Sequence, residues 1–178
     1  GLRDVHVLGY ADKQLSAASI SQIRLQLVRH IREYRPHVVV TFDPAGMNGH
    51  PDHVAISRFT TDAVAAAADS RCHASAGPSH RAQRILWTTP ILPWDVAGTP
   101  NLNGEAGVDF VIDVGPHLAA KIAALRAHRT QHLPINRCFF SKPDVDQILS
   151  VEAFRQGWGP ALTRIPTDDV LTGIDLSE

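Results

Sequence analysis

His37-Val38-Val39-Val40-Thr41-Phe42-Asp43-Pro44-Ala45-Gly46-Met47-Asn48-Gly49-His50-Pro51-Asp52-His53 sets the architecture of this chain. Its first six residues are β-branched and apolar without alternation, which predicts a strand buried on both faces in a parallel sheet. From Asp43 to Gly49 the composition turns to Gly, Pro, Asn and Asp, the residues of a loop. Pro51 is comfortable in a first helical turn, so a helix is expected from Pro51 to about Ala68. Upstream, apolar residues at Ile20, Ile23, Leu27, Ile31 and Tyr34 recur at three- and four-residue spacing. That stripe predicts an amphipathic helix, which Arg35-Pro36 ends because a residue before proline is pushed out of the helical region.

On either side of this segment, Val5-His6-Val7-Leu8-Gly9 reads as a short strand, and Arg84–Thr88 and Val108–Ile112 as two more. Pro90 to Gly107 holds three prolines and three glycines and reads as a long surface loop. Pro116 to His128 reads as a helix with Leu118, Ile122 and Leu125 on one side. The stretch from Val145 to Gln156 fits one helix, or a short helix followed by a strand at Val151 to Arg155. Strand, helix, strand, loop, helix is the grammar of an α/β sheet with helices on both faces. At 178 residues the chain fits one domain, 1–178, with a sizeable core.

The bulk properties exclude more than they assign. Formal net charge is −1, so no global field draws the chain to nucleic acid or an anionic membrane surface. No apolar run approaches the roughly 20 residues that cross a bilayer. Cys72 and Cys138 form no C-x-x-C pair, and two reduced thiols in a cytoplasmic protein is the default expectation. Of ten histidines, His6, His30, His37, His73, His80 and His117 sit singly among polar or basic neighbours and read as surface residues. His50 and His53 form the unusual pair.

That pair begins at the carboxyl end of a predicted strand, where open α/β sheets place their ligands. Loop glycines let backbone approach a ligand closely. Three residues apart at a helix start, the two imidazoles project in similar directions, and Asp52 between them can hold one ring in a single tautomer. Zinc takes imidazole nitrogen, and a catalytic zinc needs three protein ligands with a fourth position for water. The bland alternative stands beside this: Pro51 and Asp52 suit a first helical turn whatever the function, Asp52 being favoured at the positive end of the helix dipole. No second cluster of ligands is evident in the sequence.

Val40-Thr41-Phe42-Asp43-Pro44 followed by Gly49-His50-Pro51-Asp52-His53 resembles the LmbE-like, or PIG-L, family of zinc-dependent de-N-acetylases. Leu8-Gly9-Tyr10-Ala11-Asp12 is similar to that family's L-G-[YF]-x-D segment, and Lys121 to Gln131 to its K-x-x-A-L-x-x-H-x-[ST]-Q helix. Asp168-Asp169-Val170-Leu171-Thr172-Gly173 is similar to its C-terminal D-D-L-F-x-G. The matches keep the family's order along almost the whole chain. The resemblance implies a Rossmann-like parallel-sheet fold whose N-terminal strands, with an A-H-P-D-D-E segment carrying two zinc ligands and a general base, are absent from this chain. By the same resemblance His53 is a zinc ligand, His50 steadies the oxyanion or acts as acid, and Asp52 orients it. Asp12, Asp43, Asn48 and His128 are carried over as candidate substrate contacts, with structural roles open for each. Trp87, Trp94 and Trp158 read as packing residues, Trp94 being the one worth testing.

The implied activity is hydrolysis of an N-acyl group, expected to be N-acetyl on an amino sugar or glycoconjugate, releasing acetate and a free amine. A thiol-conjugate amidase acting on a cysteinyl pseudodisaccharide is the alternative within the family, and a non-catalytic remnant that binds a sugar or a partner is the alternative outside it. With one zinc ligand, this chain alone is expected to be inactive and to bind zinc poorly. Loss of a central strand exposes apolar edges, so the chain is expected to aggregate, or to pair with the missing N-terminal segment or with another copy as a homo-oligomer.

Overall fold

The computed structural model describes residues 2–89 and 107–177. All of the expected Pro90–Gly107 loop except Gly107, Trp94 included, lies outside the described residues. Two compact units emerge. The first runs to Thr88 and includes Gly157–Gly159 and the residues from Asp175; the second comprises Thr89–Gln156 and Pro160–Ile174.

In the first unit, helix α1 (Ile20–Tyr34) leads into strand β1 (Val38–Phe42). A short turn of helix, α2 (Gly46–Gly49), and the long helix α3 (Pro51–Ala68) follow, and strand β2 (Arg84–Thr88) pairs parallel to β1. The α1 stripe is real but shifted at its ends. Ile23, Val28 and Ile31 are buried, whereas Ile20 and Tyr34 are exposed. Arg35 ends α1 in the left-handed conformation at φ 47°, its N–H donating to the Ile31 carbonyl. Val28, Ile31, Ala63, Val64, Ala67 and Ile85 form the core between the helices and the strand pair, with Val39 and Trp87 packed against it. The alanine-rich face of α3 lets α1 approach closely, as small residues do at helix contacts.

Arg32 is the unanticipated member of this core, only 4% exposed. Its guanidinium donates to the carbonyls of Ala66, Ala67, Asp69, Cys72, His73 and Gly77, at 2.7 to 3.2 Å. Two of these carbonyls are in the last turn of α3, where the helix dipole favours a cation and the final carbonyls lack intrahelical donors. One side chain of α1 thereby ties down the end of α3 and the turn beyond it.

Three expectations are corrected. Residues 5–9 form no strand; Val5 and Val7 are exposed, and no described strand offers a ladder to them. Asp12, just beyond, sits in a turn closed by the Gln14 N–H on the Ala11 carbonyl, at 3.1 Å. β1 is not buried on both faces, since Val40 is 52% exposed. Among the histidines, His80 is buried with its Nε2 2.9 Å from the Pro36 carbonyl, and His6 packs against His30 with ring centres 4.5 Å apart and planes tilted by 33°.

In the second unit, β3 (Phe110–Asp113) pairs antiparallel with residues 151–154 of β4 (Val151–Trp158). The parallel β1–β2 pair and the antiparallel β3–β4 pair, with their helices, fit the expected α/β Rossmann-like fold. Between β3 and β4 lie helices α4 (Leu118–Ala127), α5 (His132–Ile135) and α6 (Val145–Leu149). The stretch after Val145 therefore takes the short-helix-then-strand alternative. Ile148 and Leu149 of α6 are buried, as is Phe110 of β3. Lys121 fastens α4 to β4, its Nζ 3.0 Å from the Val151 carbonyl and 2.7 Å from the Glu152 carboxylate.

Candidate active site

The Asp43–His53 segment leaves the carboxyl end of β1 and enters α3, as its sequence indicates. Asp43 shapes the exit. Its carboxylate accepts the Met47 N–H at 2.6 Å and its carbonyl accepts the Gly46 N–H at 2.9 Å. Gly46 has φ +70°, and a Cβ there would lie 2.7 Å from the Val54 nitrogen and 3.0 Å from the His53 Cβ. Only glycine allows the loop to lie this close to α3. Asn48 accepts the His50 N–H through its side-chain oxygen at 3.1 Å, and Asp43 and Asn48 thus act here as turn-makers.

His50 is the N-cap of α3, and its Nδ1 accepts the Asp52 N–H at 3.2 Å. His53 stacks on Phe42 with ring centres 3.9 Å apart and planes 6° from parallel. Its Nδ1 lies 3.2 Å from the Gly46 carbonyl. The two rings are 4.8 Å apart, centre to centre. Their partners fix opposite tautomers. A backbone N–H can only donate, so the neutral His50 ring carries its proton on Nε2. A carbonyl can only accept, so the His53 ring carries its proton on Nδ1 and keeps a lone pair on Nε2. The sequence places both histidines at this junction; it cannot reveal the tautomers, because they depend on backbone groups that any residue could supply.

The Asp52 carboxylate does not meet His50 in this structure. It accepts the N–H groups of Lys13 and Leu15 at 2.6 and 3.1 Å, in the first turn of α3 where the dipole favours an anion. It thereby clamps the 11–15 turn beside the junction, and among the described residues the Asp12 carboxylate approaches His50, with Oδ1 3.9 Å from Nε2. Asp12 is 81% exposed, so this contact is a loose one. His128 follows α4 in the second unit and is exposed. Phe42, Gly46, Lys13 and Leu15 complete the junction without having been singled out from sequence. Phe42, the last β1 residue before the loop, is the one whose position signalled it.

A metal would find one well-prepared ligand here. Metal-bound histidines commonly donate their second ring N–H to a carbonyl, which is the arrangement of His53 on Gly46. Among the described residues, no group of three or more His, Cys, Asp or Glu is placed to hold an ion. The described residues therefore fit a zinc ion as a contributor to its coordination and not as a complete site.

Residues 1–64 match the family PIG-L, GlcNAc-PI de-N-acetylase. The chain is 34% identical over 181 residues to the 1D-myo-inositol 2-acetamido-2-deoxy-alpha-D-glucopyranoside deacetylase of Mycolicibacterium smegmatis, covering 84% of this chain and 58% of that protein. With the protein of the same name from Mycolicibacterium vanbaalenii it shares 38% over 131 residues, covering 59% of this chain and 40% of the other. The chain thus spans less than two thirds of these relatives. A crystal structure of a conserved protein from Thermus thermophilus superposes with a TM-score of 0.62 at 21% identity, covering 87% of this chain and 66% of that one, and speaks to the fold. Together these findings make the chain a relative of the PIG-L, or LmbE-like, de-N-acetylases, carrying that family's pattern in an α/β Rossmann-like fold.

Proposed function

We propose that this chain carries one side of the active site of a metal-dependent de-N-acetylase acting on a GlcNAc-type amino sugar glycoconjugate. The two bacterial relatives are named for removal of an acetyl group from such a sugar on inositol, and the observation that carries the reading is the opposed pair of tautomers. His53 presents an Nε2 lone pair, held by Gly46 and Phe42, as a metal ligand. His50 presents an Nε2 proton, held by the Asp52 N–H, as a hydrogen-bond donor. A zinc ion bound by His53 and groups outside this set would lower the pKa of its water to about 7 and polarise the amide carbonyl. The chain's own part is to fix His53, and to aim the His50 proton where an oxyanion develops. Because His50 Nδ1 is already an acceptor, steadying the oxyanion suits it better than giving up its remaining proton to the leaving amine. Asp52 acts as a positioning residue that holds the 11–15 turn, and Asp12 with it, beside His50.

The test is acetate release from the N-acetylglucosaminyl-inositol substrate by the complete gene product, measured with zinc binding by calorimetry. His53→Ala is expected to lower both zinc affinity and turnover by at least about a hundredfold, since even groups that only orient a ligand contribute about 10- to 100-fold. Equal zinc affinity and equal turnover in the two proteins would sink the reading. The 178-residue chain alone is expected to bind zinc weakly and to release no acetate.

A further inference from the structure

The first unit holds a concavity whose lining includes neither His50 nor His53. It is a cavity of about 610 Å³ between the first half of α1 and the first three turns of α3, a volume in the range of small-ligand pockets. Val54, Arg58 and Asp62 stand four residues apart along α3 and line it as one stripe; His53 lies off that stripe. Ile20 and Phe59 add apolar wall, Ile20 remaining 61% exposed at the rim.

Two guanidinium groups share this wall with a single carboxylate. Asp62 takes Nη1 of Arg24 at 3.3 Å, but the Nε of Arg24 is buried and meets no acceptor. Arg58 is exposed and forms no ion pair among the described residues. The Arg24 side chain is 32% exposed, so an oxyanion in the cavity would meet its outer nitrogens and not the covered Nε. Guanidinium forks match carboxylate and phosphate oxygens, and do so best where apolar walls exclude water.

We infer that this cavity binds a small amphipathic anion, with an aliphatic body against Ile20, Val54 and Phe59 and an oxyanion head, carboxylate or phosphate monoester, between Arg24 and Arg58. The site is independent of metal and of the hydrolytic reading. A cation is repelled by the surplus guanidinium, and a bare anion leaves the apolar wall wet.

Octanoate, octyl phosphate, octylamine and inorganic phosphate are the probes, followed by calorimetry and by amide shifts in nitrogen-edited spectra of the chain. Octanoate or octyl phosphate is expected to bind saturably at one site and to shift Val54, Arg58 and Phe59; which of the two binds more tightly identifies the head group. Octylamine and inorganic phosphate are expected to bind at least about tenfold more weakly. Arg58→Gln, at an exposed position that leaves the core intact, is expected to weaken the binding by about tenfold, the effect of one charge-assisted hydrogen bond. Ile20→Asp is expected to abolish it. The inference is overturned by failure of both anionic amphiphiles to saturate, by octylamine or inorganic phosphate binding equally well, or by undiminished affinity in Arg58→Gln.

Discussion

His50 accepts at Nδ1, and that leaves its chemistry narrow. A ring so held can donate from Nε2 in its neutral form, as an amide side chain can. His50→Gln is therefore expected to keep turnover within about tenfold of the parent enzyme, whereas His50→Ala is expected to lose about 10²- to 10³-fold, the range for removing one oxyanion donor. If Gln is as damaging as Ala in acetate-release kinetics, proton transfer by His50 is the better account. A second residue-scale device sits at the start of the chain, where the Tyr34 hydroxyl donates to the Asp4 carboxylate at 2.7 Å and His6 Nε2 lies 2.6 Å from the same hydroxyl. The Tyr34 hydrogen bond, then the Val5 N–H, then His6 hold Asp4 below its ordinary 3.8. Asp4 in turn is the main cause that raises Tyr34 above 10.0. The signs give a window. The Asp4 contribution is complete above 3.8 and disappears as pH falls through its lower folded value; the Tyr34 contribution is complete below 10.0 and disappears as pH rises through its higher folded value. In a Tyr10→Phe background, which leaves one tyrosine, Asp4→Asn is expected to return the Tyr34 ultraviolet titration toward 10.0. An unchanged titration would refute the tether.

At the scale of elements, the strand-loop-helix junction depends on one backbone position. Gly46→Ala puts a methyl group against the Val54 nitrogen at a φ of +70°, so the loop must lift from α3 and carry the Gly46 carbonyl away from His53. The expected cost is about 2 kcal/mol or more, from the strained backbone together with the collision. Gly49→Ala is the control: it shares a positive φ, +75°, but nothing lies within 4 Å of its Cβ. Only the left-handed penalty of about 1–2 kcal/mol applies there. Urea unfolding gives both values, and the His53 ring proton resonance reports whether the carbonyl has moved. Comparable losses in both variants, with the His53 resonance unchanged, would contradict this account. The contrast also indicates which parts of the junction are readable from sequence. The limits of β1 and α3 are legible because β-branched runs, prolines and loop residues act locally, and α3 runs from Pro51 to Ala68 as its sequence implies. His50 and His53 are legible for the same reason. Arg32 is not, because its six acceptors are backbone carbonyls that leave no mark on residue types. The Asp52 carboxylate shows the other limit: proximity in sequence points to His50, whereas the fold supplies two closer N–H donors from Lys13 and Leu15. Residues 5–9 have strand-like composition, but composition without a neighbouring ladder makes no strand.

At the scale of the molecule, the outer edge of β1 is the feature with the widest consequence. β1 pairs with β2 along one side only, and no described strand pairs with the other. Beside that edge lies a cavity of about 460 Å³ whose walls include Leu27, Ile31, Val39, Val40, Phe42 and Ile56. An open edge flanked by apolar side chains is a template for another strand, and natural proteins usually cover such edges or place charge on them. Val40 does neither; it is apolar and half exposed. The exposed Val5 and Val7 add further apolar surface near the start of the chain. The 178-residue chain is therefore expected to associate as its concentration rises, by adding a strand of a second copy at β1. Val40→Lys places a charge at the edge and leaves the Val39 and Thr41 side of the strand untouched, because successive strand residues point to opposite faces. Sedimentation velocity is expected to show the parent chain shifting to larger species across a tenfold rise in concentration, and the Val40→Lys chain shifting less. A parent chain that sediments as one monomeric species throughout would show that this edge is already satisfied, and would remove the physical basis for strand addition.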